Sequence, residues 1–272
     1  MSDLSVFVSA DIEGVSGWLG DDESTPAARS AMVDDVNAAI RGVLEAAPDA
    51  SVLVADSHGD KRTIPPDELH ERASLLRGGP RPFGMVDGAT AETDLAFLVG
   101  YHDRPGTGGF LEHTFTGSIA DVRLNGRSVG EFELNAVLLA ARSIPVGFVT
   151  GDDRLGETVA DRLPSAAYVT TKTGRGWSSA VCRHPDAVRE EIRETAAAVT
   201  ADPPTDPSTP VPVELPLTVE VEYARASYAD IATLWPGVER DEDARTVVHE
   251  AADVPTAYQF VRATTKVRTD DA

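Results

Sequence analysis

The chain has 272 residues, one cysteine and a formal net charge of −21, because 45 aspartates and glutamates outnumber 24 lysines and arginines. A single cysteine, Cys182, excludes an internal disulfide and favours a reducing cytoplasm. The negative charge argues against binding to nucleic acid or anionic membranes, and no apolar stretch approaches the roughly 20 residues of a membrane span.

Short apolar segments alternate with helical patterns over the first 200 residues. Strands are predicted at 4–10, 51–55, 95–100, 145–150 and 166–171, and helices after Thr25-Pro26, at 153–163 and at 180–199. This alternation is typical of βαβ units. We therefore predict an α/β fold with a mainly parallel sheet flanked by helices, in a Rossmann-like three-layer arrangement.

The composition changes at 201–216, where a proline-rich segment is incompatible with a regular helix or a central strand. Beyond it, the patterns predict a strand at 217–223, a helix at 228–235, a strand at 244–251 and a helix at 256–267. These elements would form a smaller α+β C-terminal unit. The expected organisation is a metal-binding catalytic α/β domain at 1–200, a linker at 201–216, and a small unit at 217–272 packed on the core.

Acidic and imidazole side chains follow the predicted strands at the points where these end. Asp11 and Glu13 follow the first strand, His58 follows the second and His102 the third. Ligands of open α/β sheets bind beyond the carboxyl ends of the strands, so we expect these side chains to share one rim. Imidazole and carboxylate without thiolate fit zinc or manganese. A carboxylate can also bridge two metals about 3.5–4 Å apart, and the acidic pair after the first strand suits that role.

A glycine-rich segment at 106–117, GTGGFLEHTFTG, carries Glu112 and His113. It lacks the lysine and the spacing of a phosphate-binding P-loop. We interpret it as a flexible wall of the active site that presents His113. Three more candidates lie at 125–136: Glu131, Glu133 and Asn135.

Other polar residues have ordinary structural interpretations. Asp152 and Asp153 follow the fourth strand, where an acid serves either the rim or the cap of the next helix. His70, His184 and His249 have no partner motif and are interpreted as surface or packing residues. Acidic residues are spread over the whole chain, which favours a solvated, halophilic type of surface over an acidic active region.

The motifs SADIEGVSG, ADSHG, VGYHDR, LEHTF, VGEFELNA and TGDD, in this order and spacing, resemble the DppA-like D-aminopeptidases, the dipeptide-operon family of zinc metallopeptidases. The resemblance is strongest from Leu4 to Asp153 and continues more weakly to the C-terminal AYQF.

The resemblance implies a binuclear zinc site and a catalytic histidine. By position, Asp11 would bridge the metals, Glu13 and His58 would complete one, and His102 with Glu131 the other. His113 matches the catalytic histidine of the family. The resemblance further implies release of N-terminal D-residues from short peptides, and assembly into a homodecameric ring.

Two questions stay open at the level of sequence. A histidine beside a metal-bound carbonyl can attack it as a nucleophile, or can shuttle a proton while metal-activated water attacks. The alternatives to a zinc aminopeptidase are a non-catalytic peptide-binding or dipeptide-transport accessory protein, and a two-metal hydrolase of another amide or ester. The segment TGRGWSS at 173–179 departs from the family pattern at the expected substrate wall, which leaves the preference for particular D-side chains open.

Overall fold

The computed structural model describes residues 4–20, 23 and 25–266. The strands are β1 (Ser5–Ala10), β2 (Ser51–Asp56), β3 (Ala73–Leu76), β4 (Leu95–Tyr101), β5 (Ile119–Leu124), β6 (Arg127–Ser128), β7 (Val146–Asp152), β8 (Ala167–Gly176), β9 (Ser179–Cys182), β10 (Leu217–Tyr223), β11 (Val238–Arg240) and β12 (Thr246–Ala251). The α-helices are α1 (Pro26–Ala46), α2 (Glu131–Ala141), α3 (Asp153–Arg162), α4 (Pro185–Ala201), α5 (Ala226–Ala232) and α6 (Val254–Thr264).

The main sheet has seven strands in the order β3-β2-β1-β4-β7-β8-β9. All neighbours pair in parallel except β8 and β9, which pair antiparallel at one edge. Strand β1 lies between β2 and β4, so the carboxyl ends of these three strands meet at one rim. Strands β4 and β7 are buried along their whole length, as expected for a parallel sheet covered on both faces.

Helices cover both faces of this sheet. Helices α1 and α4 pack on each other and on one face, whereas α2 contacts β4, β7 and α6 on the other. Each face of the sheet has its own apolar cluster, and alternate residues of β1 contribute to the two clusters. Val6 and Val8 lie in one cluster and Phe7 lies in the other. The predicted α/β architecture with a mainly parallel sheet is therefore confirmed.

A second, antiparallel sheet has the order β11-β12-β10-β5-β6 and forms the smaller unit. Three of its strands come from the C-terminal part of the chain, but β5 and β6 come from residues 119–128, which precede the proline-rich segment by far. Helix α6 packs against β10 and β12. The division into units at 1–200 and 217–272 stays a prediction, and residues 267–272 lie outside the described residues.

The prediction of one helix over 180–199 is wrong at its start. Residues Ser179–Cys182 instead form β9, which pairs with β8, and the helix begins at Pro185. The reason is local, since proline suits the first turn of a helix and the side chain of His184 caps it by accepting from Asp186 N. Residues 202–216 contain neither helix nor strand.

Among the described helices, none combines the length and apolar character that crossing a membrane requires.

Candidate metal centre

The rim at the ends of β1 and β4 depends on close backbone packing. Gly14 donates its N–H to Gly100 O at 2.8 Å, and a Cβ added at Gly14 would lie 2.0 Å from Tyr101 O. Gly100 itself has φ +76, a region that favours glycine. The loop after β1 is thus pressed onto the end of β4, which brings the side chains of the two strand ends together.

A buried lysine on β8 also holds the loop after β1 in place. Lys172 lies on β8 and is fully buried; its Nζ donates to Glu13 O at 2.8 Å and to Trp18 O at 2.6 Å. The ammonium also lies 4.6 Å from the centre of the Phe110 ring. Burial lowers the pKa of Lys172 to about 8. This role could not be predicted, because a lone lysine in a strand belongs to no sequence motif.

The first group of the site joins the ends of β1 and β2. His58 Nδ1 lies 3.0 Å from Asp11 Oδ1 and 3.1 Å from Glu13 Oε2. All three side chains are buried. On the other side of the ring, His58 Nε2 lies 3.0 Å from Glu23 Oε2.

The second group joins β1, β4 and the first residue of α2. His102 Nε2 lies 3.2 Å from Glu131 Oε1 and 3.7 Å from Asp11 Oδ2. His102 Nδ1 faces Asp103 O at 3.0 Å, and Phe115 N donates to Glu131 Oε2 at 2.6 Å. The two oxygens of Asp11 therefore face the two groups, one each.

His113 covers this cluster from the glycine-rich segment. Its ring stacks on that of His102 at 4.2 Å with an interplanar angle of 13°, and it is partly open to solvent. Nδ1 lies 2.9 Å from Leu111 O, a geometry that holds the proton on Nδ1 and leaves Nε2 as an acceptor. Nε2 lies 3.9 Å from Glu13 Oε1. Leu111 and Phe115 have φ 51 and 57, so the backbone on both sides of His113 is strained.

The arrangement fits divalent cations. Three sets of ligand atoms lie within 4.8 Å of one another: Asp11, Glu13 and His58; Asp11, His102 and Glu131; and Glu13, His102 and His113. Asp11 Oδ2, Glu13 Oε2 and His102 Nε2 are buried without a hydrogen bond of acceptable geometry within the described structure. Buried polar atoms without partners are costly, and carboxylate with imidazole is the donor set of zinc and manganese sites.

Electrostatic coupling distributes the protons of the metal-free cluster. Burial and the charge of Glu13 raise the pKa of Asp11 to about 8. Burial disfavours the charged form of His102, but Glu131 outweighs burial and raises the pKa of His102 to about 10. The carboxylates around His58 likewise outweigh burial and raise the pKa of His58. Burial also opposes the ionisation of both glutamates, yet His102 lowers the pKa of Glu131 to about 2, and His58 holds that of Glu13 well below its usual range.

Two acids of the glycine-rich and 125–136 segments have structural partners instead. Glu112 accepts from the N–H groups of Gly106 and Gly109 at 2.9 and 3.0 Å, so the glycines enclose a carboxylate of their own loop. Glu133 caps α2 through Gly130 N at 2.8 Å and pairs with Arg162 at 2.5 Å.

The remaining polar candidates also have structural partners. Asp152 accepts from Leu155 N at 3.1 Å as the cap of α3, and Asp153 accepts from Gly174 N at 2.8 Å. Asn135 donates to the hydroxyl of Tyr101, the last residue of β4, at 3.0 Å and so helps to position the end of that strand.

Glu23 is a residue that the sequence interpretation missed. Its carboxylate faces the outer nitrogen of His58, the position from which a carboxylate orients a metal-binding imidazole. It follows two aspartates in the acidic run DDE at 21–23, a pattern that is typical of a charged surface. No local signal distinguishes it, because the contact joins residues that are 35 positions apart in the sequence.

The fold and the cluster together define an α/β protein with a candidate centre for divalent cations. The model of a peptidase family described as D-aminopeptidase matches residues 4–263. A D-aminopeptidase from Bacillus subtilis (strain 168) is 30% identical to this chain, and the alignment covers 97% of each.

A solved structure from Bacillus subtilis is described as the zinc-dependent D-aminopeptidase DppA, a self-compartmentalizing protease. It matches with a TM-score of 0.90 and 29% identity, over 98% of this chain and 99% of that one. The chain therefore belongs to the D-aminopeptidase family. The predicted enzyme class, a hydrolase of the aminopeptidase type, is confirmed, and a non-catalytic role is disfavoured.

Proposed function

We propose that this chain is a zinc-dependent aminopeptidase that releases N-terminal D-amino acids from short peptides. The observation that carries the proposal is the pair of carboxylate–imidazole groups that share Asp11 and lie beneath His113. The two relatives support the metal and the substrate, since one is a D-aminopeptidase by name and the other is described as zinc-dependent.

Five residues would hold two zinc ions per subunit: Asp11, Glu13, His58, His102 and Glu131. In this assignment Asp11 would contribute to both ions, because its two oxygens face different imidazoles. When bound, the ions supply Lewis acidity that polarises the scissile carbonyl and activates water. Manganese offers the same ligand chemistry and is the alternative metal.

His113 is the proposed catalytic residue. With Nδ1 held by Leu111 O, Nε2 faces the cluster and can accept a proton or attack a carbonyl carbon. The stacking on His102 fixes the plane of the ring, so either role starts from one orientation. The two roles differ in their products on the enzyme, because attack leaves an acyl group on His113 and proton transfer does not.

The test is hydrolysis of D-alanyl-D-alanine and its L,L counterpart by the protein as purified, after chelation, and after reloading with zinc or manganese. We expect turnover of the D-peptide that chelation abolishes and zinc restores. His113→Ala should lower kcat by about 10²–10⁴-fold with normal metal content, whereas His70→Gln, outside the cluster, serves as the matched control. Equal rates with and without metal would contradict the proposal.

A panel of esters and phosphoesters separates this function from a two-metal hydrolase of another class. Mass spectrometry of the acid-quenched enzyme separates the roles of His113: an acyl adduct supports attack, and its absence in rapidly quenched samples supports proton transfer.

We further propose that copies of the chain assemble into a homodecameric ring in the cytoplasm. The relative described as self-compartmentalizing supports a closed assembly. On this chain Leu234 and Trp235 are 81% and 59% exposed, which is unusual for large apolar residues that need burial. Light scattering measures the mass of the assembly, and a monomer at all concentrations would contradict the proposal.

A further inference from the structure

A second cavity adjoins the metal centre and is lined by basic side chains. This basic cavity, of about 550 Å³, is lined by Lys61, Arg62, Arg81, Arg262 and Lys266. The cavity over the metal centre, about 270 Å³, contains Asp11, Glu13, His58, His113 and Glu131. Lys61, Arg262 and Lys266 line both cavities, so the two are contiguous.

The sign of the charge in the basic cavity is opposite to that of the whole chain. The net charge is −21 and only three lysines occur in 272 residues, yet two of them line this cavity together with three arginines. The one acid in its lining is Asp60, which pairs with Arg62 at 3.2 Å. The lining of the basic cavity therefore contains five cationic side chains and one carboxylate.

Its donors are held in place by the fold. Arg81 is only 8% exposed; its Nε and one Nη donate to Gly78 O and Leu76 O, and the other Nη is buried without a hydrogen-bond partner among the described residues. The Nε of Arg262 is also buried without a hydrogen-bond partner among the described residues. The Arg262 guanidinium lies 4.6 Å from the centre of the Phe115 ring.

Lys61 is 7% exposed and has φ 65, a strained conformation for a residue other than glycine. Its backbone is fixed on both sides, because its N–H donates to His58 O and its carbonyl accepts from Gly78 N. Its side chain donates from Nζ to Ser57 O at 3.4 Å and lines the basic cavity. Fixed cationic donors of this kind are suited to a carboxylate, which guanidinium groups bind through paired hydrogen bonds.

We propose that the basic cavity binds the free C-terminal carboxylate of the peptide whose N-terminal residue lies at the metal centre. This inference rests on the proposed function and specifies its substrate class. A peptide residue spans at most about 3.6 Å, so only a few residues connect two contiguous cavities. The enzyme is then selective for di- and tripeptides with a free C-terminus, and Arg262, at the boundary of both cavities, is a specificity-determining residue.

The test compares D-alanyl-D-alanine with its C-terminal amide, which removes the charge and keeps the scissile bond. We expect kcat/KM for the acid to exceed that for the amide by about tenfold to hundredfold, the usual size of charge-assisted hydrogen bonds. Arg262→Met should reduce this acid-over-amide ratio to near one, and Arg262→Lys should restore part of it. Arg245→Met, which removes an exposed charge paired with Glu222 at 2.5 Å, is the matched control.

A binding measurement on the chelated protein removes catalysis from the question. Calorimetry should show tighter binding of the acid than of the amide by the parent protein, and no difference for Arg262→Met. Thermal unfolding of each variant checks folding. Competition by inorganic phosphate against the acid but not against the amide would support an anion site.

The outcomes separate the two proposals. If neither the acid nor the amide is hydrolysed, the proposed function fails and the carboxylate site fails with it. If both are hydrolysed at equal rates, the carboxylate site alone is overturned. A change in assembly mass on Arg262→Met, with an unchanged acid-over-amide ratio, would also overturn it and assign the cavity to an acidic segment of a second copy.

Discussion

Zinc binding to the metal-free protein is expected to release about three protons per subunit at pH 7, because metal ligands must be deprotonated. Two come from His58 and His102, whose pKa values are raised by the surrounding carboxylates. The third comes from Asp11, whose pKa is raised to about 8 by burial and by Glu13. Glu13 and Glu131 contribute none, since both have lowered pKa values.

The size of the effect follows from the distance of each pKa from neutrality. A pKa of about 10 places His102 three units above pH 7, so its deprotonation opposes metal binding by roughly 4 kcal/mol. For Asp11, one unit above pH 7, the corresponding cost is roughly 1 kcal/mol. Each released proton makes the apparent affinity about tenfold tighter per pH unit, so the affinity for both ions together should rise by about 10³ from pH 6 to pH 7.

The assay is calorimetric titration of the chelated protein with zinc in buffers of different ionisation enthalpy, where the slope of observed enthalpy counts the protons. His102→Ala should lower the count by about one, and His70→Gln should leave it unchanged. Identical enthalpies in all buffers, with an affinity independent of pH, would refute the proposed ligand set.

The same shifts predict the stability of the metal-free protein. His102 and Asp11 both have folded-state pKa values above their unfolded values of 6.5 and 3.8. Such groups stabilise the protonated folded form, so their contribution is present in acid and is lost as pH rises through about 8 and then about 10. The melting temperature of the chelated protein should therefore fall from pH 7 to 8, whereas above pH 8 the lowered pKa values of Lys61 and Lys172 act in the opposite direction. Zinc should remove most of the dependence between pH 7 and 8.

Three further predictions concern single interactions and the surface. Glu23→Gln should weaken zinc binding by about tenfold to hundredfold, measured by competition with a chelator, because it removes the carboxylate that faces His58 Nε2; unchanged affinity would exclude this role. Arg162→Met leaves Glu133 buried without its partner and should destabilise the fold by about 3 kcal/mol, or about 6–12 °C in melting temperature; the exposed pair of Arg154 should tolerate the same change within about 0.5 kcal/mol. If the acidic surface is a salt adaptation, molar KCl should raise the melting temperature and activity, and a protein equally stable and active in dilute buffer would contradict it.

The main sheet and the cluster could be predicted because their signals are local. Each central strand is a short apolar run followed within two residues by an acid or a histidine, as Asp11, His58 and His102 show. One topological rule, that parallel strands expose their carboxyl ends at a common rim, then places His58 and His102 beside Asp11, from which they are 47 and 91 positions away in the sequence. Glu131 follows no strand, and only the resemblance to a family indicated it.

The rest could not be predicted because it depends on pairings between distant segments. The sequence of strand β5, which follows the glycine-rich segment, has no pattern that distinguishes it as a strand. It belongs to the second sheet because it pairs antiparallel with β10, nearly 100 residues later. The start of α4 was misplaced because the apolar alternation of β9 is too short to be distinguished from a first helical turn.

The basic cavity could not be predicted for the same reason, because its charged residues are far apart in the sequence. Lys61, Arg81 and Arg262 are spread over 201 positions of the sequence and form no run of charge. The net charge of −21 therefore gives no indication that they lie together. Their proximity has a cost, because burial and the charges of Arg262 and Arg81 lower the pKa of Lys61 to about 8. Asp11 offsets part of this repulsion at Lys61, and a bound carboxylate would offset more of it. A substrate with a cationic end and an anionic end is the ligand that matches both cavities at once.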